Sequence, residues 1–386
     1  MKIVLVYPSY EKLLIQNLDP PLDLINIANS IKQCGDVSIC DLRVTNELPE
    51  ADVYGLTATT PAYSQMVTLL RKIKQENPNS RVIIGGHHVS ALPFESLTSG
   101  FDKVFVGECE ITLPQVLKSW DKTPALINGE MPWYLPSYKI HEWVNKQNYV
   151  RSSNNVYSLI LSRGCVFDCR YCASSKYFRK MEIAEAIKTI TSLGNIEGLR
   201  FMDENFLIHR QRFLEIAHFL KELSAPYFIF CRGEDLDDES ILHNLHSSGC
   251  KVVSVGFETA SQHLHNLSNT GKDVNKMIRG IMKARDYEID IRLNLMIGLP
   301  GETWKTIKET VDKINQIDFV SYSINYFVPY PGTFWYNGTF DFDNAYCVCG
   351  KDEGYHSHPQ IEQWQEYFLS NIKGVSHSNV SGRGLL

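Results

Sequence analysis

Short apolar runs rich in β-branched residues alternate with amphipathic stretches along most of this chain, and the rhythm begins at its first residues. Runs at Lys2 to Tyr7, Val37 to Asp41, Val53 to Thr57, Arg81 to Ile84 and Lys103 to Val106 predict strands. Between them, segments such as Leu22 to Cys34 and Tyr63 to Glu76 repeat apolar residues at helical spacing. Strand and helix in strict turn imply a doubly wound parallel sheet covered on both faces, over residues 1–120. Residues 121–150 lose the period and gain prolines and aromatic residues, which reads as a linker packed on the surface. The rhythm then resumes. Strands are expected at Val156 to Leu161, Leu199 to Met202, Pro226 to Phe230, Val252 to Val255, Ile291 to Leu295 and Tyr322 to Phe327. Helical patterns at Ile183 to Leu193, Arg210 to Leu223, Ser240 to Ser247, Val274 to Arg285 and Trp304 to Gln316 complete a second βα array over 151–335. Residues 336–386 form a C-terminal extension, with Ser376 to Leu386 expected as a frayed end.

A length of 386 residues exceeds what one hydrophobic core usually serves, in keeping with two domains. The hydrophobic fraction of 44% and charged fraction of 21% describe a soluble globular protein, expected as a monomer or weak dimer. A net charge of −6 with interspersed signs offers no basic block, so nucleic acid is not a predicted partner. No run approaches the ~20 apolar residues of a membrane span. The apolar opening Met1 to Tyr7 is too short for a signal peptide and is broken at once by Pro8 and Glu11. Ten cysteines without a disulfide-scaffold pattern point to a reducing cytoplasm.

Chemistry gathers at the carboxyl ends of the predicted strands, where parallel sheets bind ligands. In the first array these ends are Tyr7-Pro8-Ser9, Thr57 to Pro61 including Thr60, Gly85-Gly86-His87-His88 and Gly107-Glu108. Glycine, threonine and proline there permit a close backbone approach, and they also make ordinary turns. After the first strand of the second array stand Cys165, Cys169 and Cys172. Three thiolates at spacing Cys-x3-Cys-x2-Cys can hold three irons of a [4Fe-4S] cluster and leave the fourth open. The competing readings are a buried cysteine stripe on a helix, or a zinc site completed from elsewhere. Arg163, Gly164, Asp168 and Arg170, interleaved with the cysteines, suit a loop better than a core helix. In the extension, Cys347, Cys349, His356 and His358 are suitable metal ligands at a spacing that matches no common zinc pattern.

The cysteine run, with Tyr171 before its last member, resembles the signature of the radical S-adenosylmethionine (SAM) superfamily. Pro20-Pro21-Leu22, Gly85-Gly86-His87-His88 with Ala91-Leu92-Pro93, and Val106-Gly107-Glu108-Cys109-Glu110 resemble the N-terminal domain of its cobalamin-binding members. The likeness runs over residues 1–335. It implies a Rossmann-like cobalamin-binding domain followed by a partial (β/α)6 barrel, with SAM on the open iron. Cobalamin contacts would come from Pro8, Thr60, Gly85, Gly86, His87, His88, Gly107 and Glu108. One departure is that Pro8-Ser9-Tyr10-Glu11 stands where many cobalamin proteins carry Asp-x-His-x-x-Gly, so no lower ligand to cobalt is indicated.

For SAM, the same resemblance points to Tyr171, to Asp203 and Glu204 for the amino group, and to Arg232 for the carboxylate. The alternative for Arg232 is an ion pair with Glu234 or Asp235. Gly256 would leave room for the adenosyl group, Glu258 would accept the ribose hydroxyls, and Arg292 and Asn294, on one side of a strand, would reach SAM. Pro300 and Gly301 shape a turn, and Tyr326 and Tyr330 would border the substrate cavity as catalytic candidates. The implied reaction is methyl transfer to an unactivated carbon of a small-molecule or peptide substrate, with a flavodoxin- or ferredoxin-type reductant. Other readings stay open: a radical rearrangement, cyclisation or oxidation without methyl transfer; a methylthiotransferase using Cys34, Cys40 and Cys109 for a second cluster; or a non-enzymatic iron-sulfur or cobalamin sensor.

Overall fold

The computed structural model describes residues 1–9, 17–133, 135–317, 319, 321–338 and 358–376, without the side chain of His358. These fall into two compact units. One holds residues 1–154, 188–194 and the described part of 330–345; the other holds 155–187, 195–329 and the described part of 346–386.

The first unit is built on a six-stranded parallel sheet of β1 (Lys2–Tyr7), β2 (Asp36–Asp41), β3 (Val53–Thr57), β4 (Arg81–Gly85), β5 (Lys103–Val106) and β6 (Leu126–Asn128), in the order β2-β1-β3-β4-β5-β6. The near-continuous apolar run of β1 follows from burial on both faces, since alternate residues serve opposite layers. Val4 and Val6 pack with Leu56, Met66 and Ile84, whereas Ile3 and Leu5 pack with Leu24, Ala28 and Phe105. Helices Leu22–Ile31 and Tyr63–Glu76 supply the covering residues. The segment read as a linker contributes β6, which pairs with β5, and buries Leu135, Tyr138, Ile140 and Tyr149. A three-residue strand is too short to show a period, which hid it in the sequence. Chain order reverses between β1 and β3, so their carboxyl ends form the switch-point crevice of this sheet.

The second unit carries β7 (Val156–Leu159), a two-residue antiparallel ladder of β8 (Ser162–Arg163) with β9 (Arg179–Lys180), then β10 (Gly198–Phe201), β11 (Tyr227–Arg232), β12 (Cys250–Glu258), β13 (Asp290–Ile297), β14 (Ser321–Tyr326) and β15 (Val375–Ser376). Its main sheet is parallel throughout, in the order β15-β14-β13-β12-β11-β10-β7. In β13, Ile291, Leu293, Leu295 and Ile297 are buried while Arg292, Asn294 and Met296 remain partly open. That alternation gives one helix-covered apolar face and one polar inner face. β15 comes from the extension and extends β14 through Ser321↔Val375 and Tyr322↔Ser376. Ser376, expected in a frayed end, is thus a buried strand residue. Cys347, Cys349 and His356, and the His358 side chain, lie outside the described residues. Among the described residues no helix is long and apolar enough to cross a membrane.

Candidate cluster and cofactor sites

The three cysteines lie on an irregular loop, not on a helix, and the short ladder Ser162↔Lys180 and Arg163↔Arg179 pins both of its ends. Gly164 turns the chain at φ 82°, and a Cβ there would stand 2.1 Å from the Tyr177 carbonyl oxygen, so only glycine fits. Cys165 N–H donates to Ser175 O at 2.8 Å and Cys172 N–H to Cys169 O at 3.0 Å. Ser174 N–H points at Cys172 Sγ, 3.4 Å away, as backbone donors do around cluster sulfurs. All three thiols are free and partly exposed. Among the described residues no three His, Cys, Asp or Glu side chains converge on a point that would hold one ion. Three thiolates on one loop suit a cluster, in which each would take a different iron. Burial pushes the Cys169 thiol up, and Lys272 pulls it back down. Burial also raises the Tyr171 phenol, reinforced by Glu258 and by its hydrogen bond with Cys169.

Glu258 closes β12 at a register irregularity, with a left-handed φ of 56°, and its charge acts on Cys169 and Tyr171 of this loop. It forms an ion pair with Lys272, whose Nζ also donates to Gly256 O at 2.5 Å. The space above Gly256, expected to admit the adenosyl group, is taken by this pair: a Cβ there would lie 2.8 Å from Glu258 Oε1 and 3.3 Å from Lys272 Nζ. Lys272 was not among the sequence candidates.

Two other expectations change. Asp203 is fully buried. It accepts Leu161 N–H at 2.8 Å and the Ser162 hydroxyl, and lies 3.7 Å from Arg212 Nη1. Burial pushes its carboxyl up to about 6 against the pull of Arg212. It braces the strand end that leads into the cysteine loop, with both of its oxygens taken by these donors. Glu204 beside it is exposed and accepts the Ser174 hydroxyl at 3.1 Å, which brings an open carboxylate to the cysteine loop. Arg232, proposed for the SAM carboxylate, has its fork occupied: Nη1 donates to Thr270 O and Nη2 to Glu234 Oε1, both at 2.9 Å, and its Cζ lies 3.7 Å from the Phe167 ring centroid. Of the alternatives weighed for it, the ion pair is the one formed.

On the inner face of the second sheet, Asn294 donates to Ser254 Oγ at 2.9 Å and accepts from Ser323 Oγ at 3.0 Å. Asn325 reaches Leu295 O at 3.2 Å, and Arg292 lies 5.8 Å from the Phe228 ring centroid. Ser254, Ser323 and Asn325 were missed, although Ser321, Ser323 and Asn325 already show a period of two in the sequence. The same period moves Tyr326 off this face, because its register partner is buried Ile297. Tyr330 falls in the first unit, where its carbonyl accepts from the Thr333 amide and hydroxyl. Neither tyrosine is placed on the polar inner face.

In the first unit, His88 is closed off. Its Nδ1 lies 3.2 Å from Thr60 Oγ1, its ring stacks 4.1 Å from Tyr63, and its Nε2 is 3.4 Å from Glu95 Oε2. Burial pushes the imidazole down to about 4, and Thr60 is its buried partner. Pro8 is also buried. Gly86, at φ 108°, packs against Ala58, whose carbonyl oxygen a Cβ would approach to 2.5 Å. The open positions on this edge are His87 and Gly107, with Gly85 and Glu108 partly exposed; a Cβ at Gly107 would meet nothing within 4 Å. Such an edge fits a broad ligand laid over the strand ends, as cobalamin would be, with no ligation from His88. A second cluster is not supported, for Cys40 is buried and bonded to Glu47 O, and Cys34 precedes β2 while Cys109 follows β5.

Comparison with known proteins agrees with both halves. The profile of the radical SAM superfamily matches residues 159–314, and that of the B12 binding domain matches residues 20–117. An uncharacterized methyltransferase of Pyrococcus horikoshii is 24% identical over 380 residues, covering 86% of this chain and 82% of that protein. The anaerobic magnesium-protoporphyrin IX monomethyl ester cyclase of Rubrivivax gelatinosus is 25% identical over 80% of this chain, which spans 65% of the cyclase. The structure of the radical SAM methyltransferase TsrM from Kitasatospora setae, with cobalamin and a [4Fe-4S] cluster bound, has the same fold. It superposes with a TM-score of 0.72 at 18% identity, over 87% of this chain and 77% of that one.

Proposed function

Because the chain belongs to the radical SAM superfamily and carries a B12 binding domain ahead of its barrel, we propose that it is a cobalamin-dependent methyltransferase acting on an unactivated carbon. The observation that carries this reading is the pinned loop of partly exposed thiols beside Glu204 and Glu258, in a chain that also has an open switch-point sheet. When bound, the cluster supplies the electron that cleaves SAM to a 5′-deoxyadenosyl radical, and cobalamin carries the methyl group. Cys165, Cys169 and Cys172 would hold three irons. Glu204 would take the SAM ammonium by a charge-assisted hydrogen bond, and Glu258 the ribose hydroxyls. Asn294, Ser323 and Asn325 offer fixed hydrogen-bonding groups on the inner face, where a sheltered site limits side reactions of a reactive species. A small-molecule or peptide substrate and a flavodoxin- or ferredoxin-type reductant complete the reading. Its support is that similar proteins are named methyltransferases.

The cyclase relative favours a second reading, radical chemistry on the substrate without methyl transfer. Anaerobic reconstitution with iron, sulfide and hydroxocobalamin, followed by incubation with methyl-labelled SAM and a reductant, separates the two. Retained cobalamin with deoxyadenosine formation and label leaving SAM is expected. A loaded cluster that cleaves SAM while cobalamin never co-elutes would remove the methyltransferase reading.

A further inference from the structure

The segment from Leu267 to Lys272 touches both the cysteine loop and Glu258. Arg170 donates its N–H to Ser268 O at 2.9 Å and its Nη1 to Leu267 O at 3.0 Å. Asn269 Nδ2 donates to Asp168 O at 3.0 Å, and Arg232, which lies against Phe167, donates to Thr270 O. Left-handed Asn269 (φ 51°) and Gly271 (φ 63°) shape the segment. From beneath, buried His265 braces it, with Nδ1 3.1 Å from Thr270 Oγ1 and Nε2 2.9 Å from Thr259 O. The segment ends in Lys272, whose ammonium is buried against Glu258 and Gly256 O.

From these contacts we infer that Lys272 is a positioning residue for SAM, the end of a clamp that fixes Glu258 relative to the cysteine loop. Two acidic groups act on each other here, the buried Glu258 carboxylate and the partly exposed sulfur of Cys169, which is anionic as a cluster ligand. Without a cation between them they repel, and the carboxylate would swing from the place where it can accept two hydroxyls. Lys272 supplies that cation at a fixed point, because Gly256 O holds its Nζ independently of Glu258. This inference rests on the reading of Glu258 as the ribose-binding carboxylate.

The test is a two-by-two set on the anaerobically reconstituted full chain: the parent, Lys272→Met, Glu258→Gln, and both together. SAM affinity is read by equilibrium titration, with iron per chain measured alongside. Lys272→Met is expected to keep its iron and to raise the Kd for SAM about tenfold or more, whereas adding Lys272→Met to Glu258→Gln should change it less than about twofold. Unchanged affinity in Lys272→Met, or an equal loss in both backgrounds, overturns the assignment. Should Lys272→Met fail to fold, Lys272→Gln takes its place in the same two-by-two set: a tenfold loss of SAM affinity that shrinks below about twofold in the Glu258→Gln background sustains the clamp, and an unchanged affinity or an equal loss in both backgrounds refutes it. A parent that takes up iron but binds no SAM would instead sink the functional reading itself.

Discussion

Asp203 and Glu204 are neighbours in the chain with opposite surroundings, and the family resemblance pointed to both for the SAM amino group. Residue type told that carboxylates follow β10; it could not tell which one the strand end would bury. Asp203 is closed in by Leu161, Ser162 and Arg212, and Glu204 stands exposed at Ser174. Glu204→Gln should therefore weaken SAM binding about tenfold and leave unfolding unchanged, since it removes a charge from an open position. Asp203→Asn should do the reverse. It keeps the shape but leaves Arg212, which is 2% exposed, as an uncompensated buried cation, a loss of about 3–5 kcal/mol with SAM affinity close to the parent's. Denaturant unfolding and SAM titration on the two variants check the pair, and a swapped pattern would return Asp203 to the ligand set. The same limit explains Lys272: it lies fourteen residues from its partner, a separation at which no local spacing rule connects them.

Elements were more legible than side-chain directions. Every expected strand of both sheets forms within a few residues of its apolar run, because a run of four or more apolar, β-branched-rich residues between turn signals is itself a strand signal. What escaped were β6 and β15, of three and two residues, and the two-residue ladder that pins the cysteine loop, all too short to carry a pattern. That ladder and Gly164 make the loop an element in its own right. Gly164→Ala would force a left-handed alanine, costing about 1–2 kcal/mol, and would also drive a methyl into the Tyr177 carbonyl. The expected result is a folded chain, by circular dichroism, that takes up little iron and sulfide on reconstitution. Full cluster loading would show that the loop tolerates another path and that its turn is not what sets the thiols.

At the scale of the whole molecule, the family likeness ran to residue 335, and the extension beyond it was expected to offer metal ligands and a loose end. The second unit uses it differently. Helix His358–Asn371 buries Ile361, Trp364 and Phe368, a helical spacing that a mixed polar and aromatic segment concealed. Trp364 meets Trp304 edge-on at 6.2 Å, and a Cβ at Gly298 would lie 3.3 Å from Ile361, so the helix packs on the turn that follows β13. Asn315 then binds Asn371 O at 2.8 Å and Lys373 N–H at 3.0 Å, and the chain ends its described course as β15 beside β14. The extension thus covers what would otherwise be an open sheet edge and an exposed apolar turn, both liabilities in water. Trp364, with none of its surface exposed, is the anchor of this cover. Trp364→Ala should destabilise the second unit by about 3–5 kcal/mol, read as a lower urea midpoint for its transition and a greater tendency to aggregate. An unchanged midpoint would mean that the helix rests on the barrel without contributing to its core, and that the strands alone hold the sheet closed at β14.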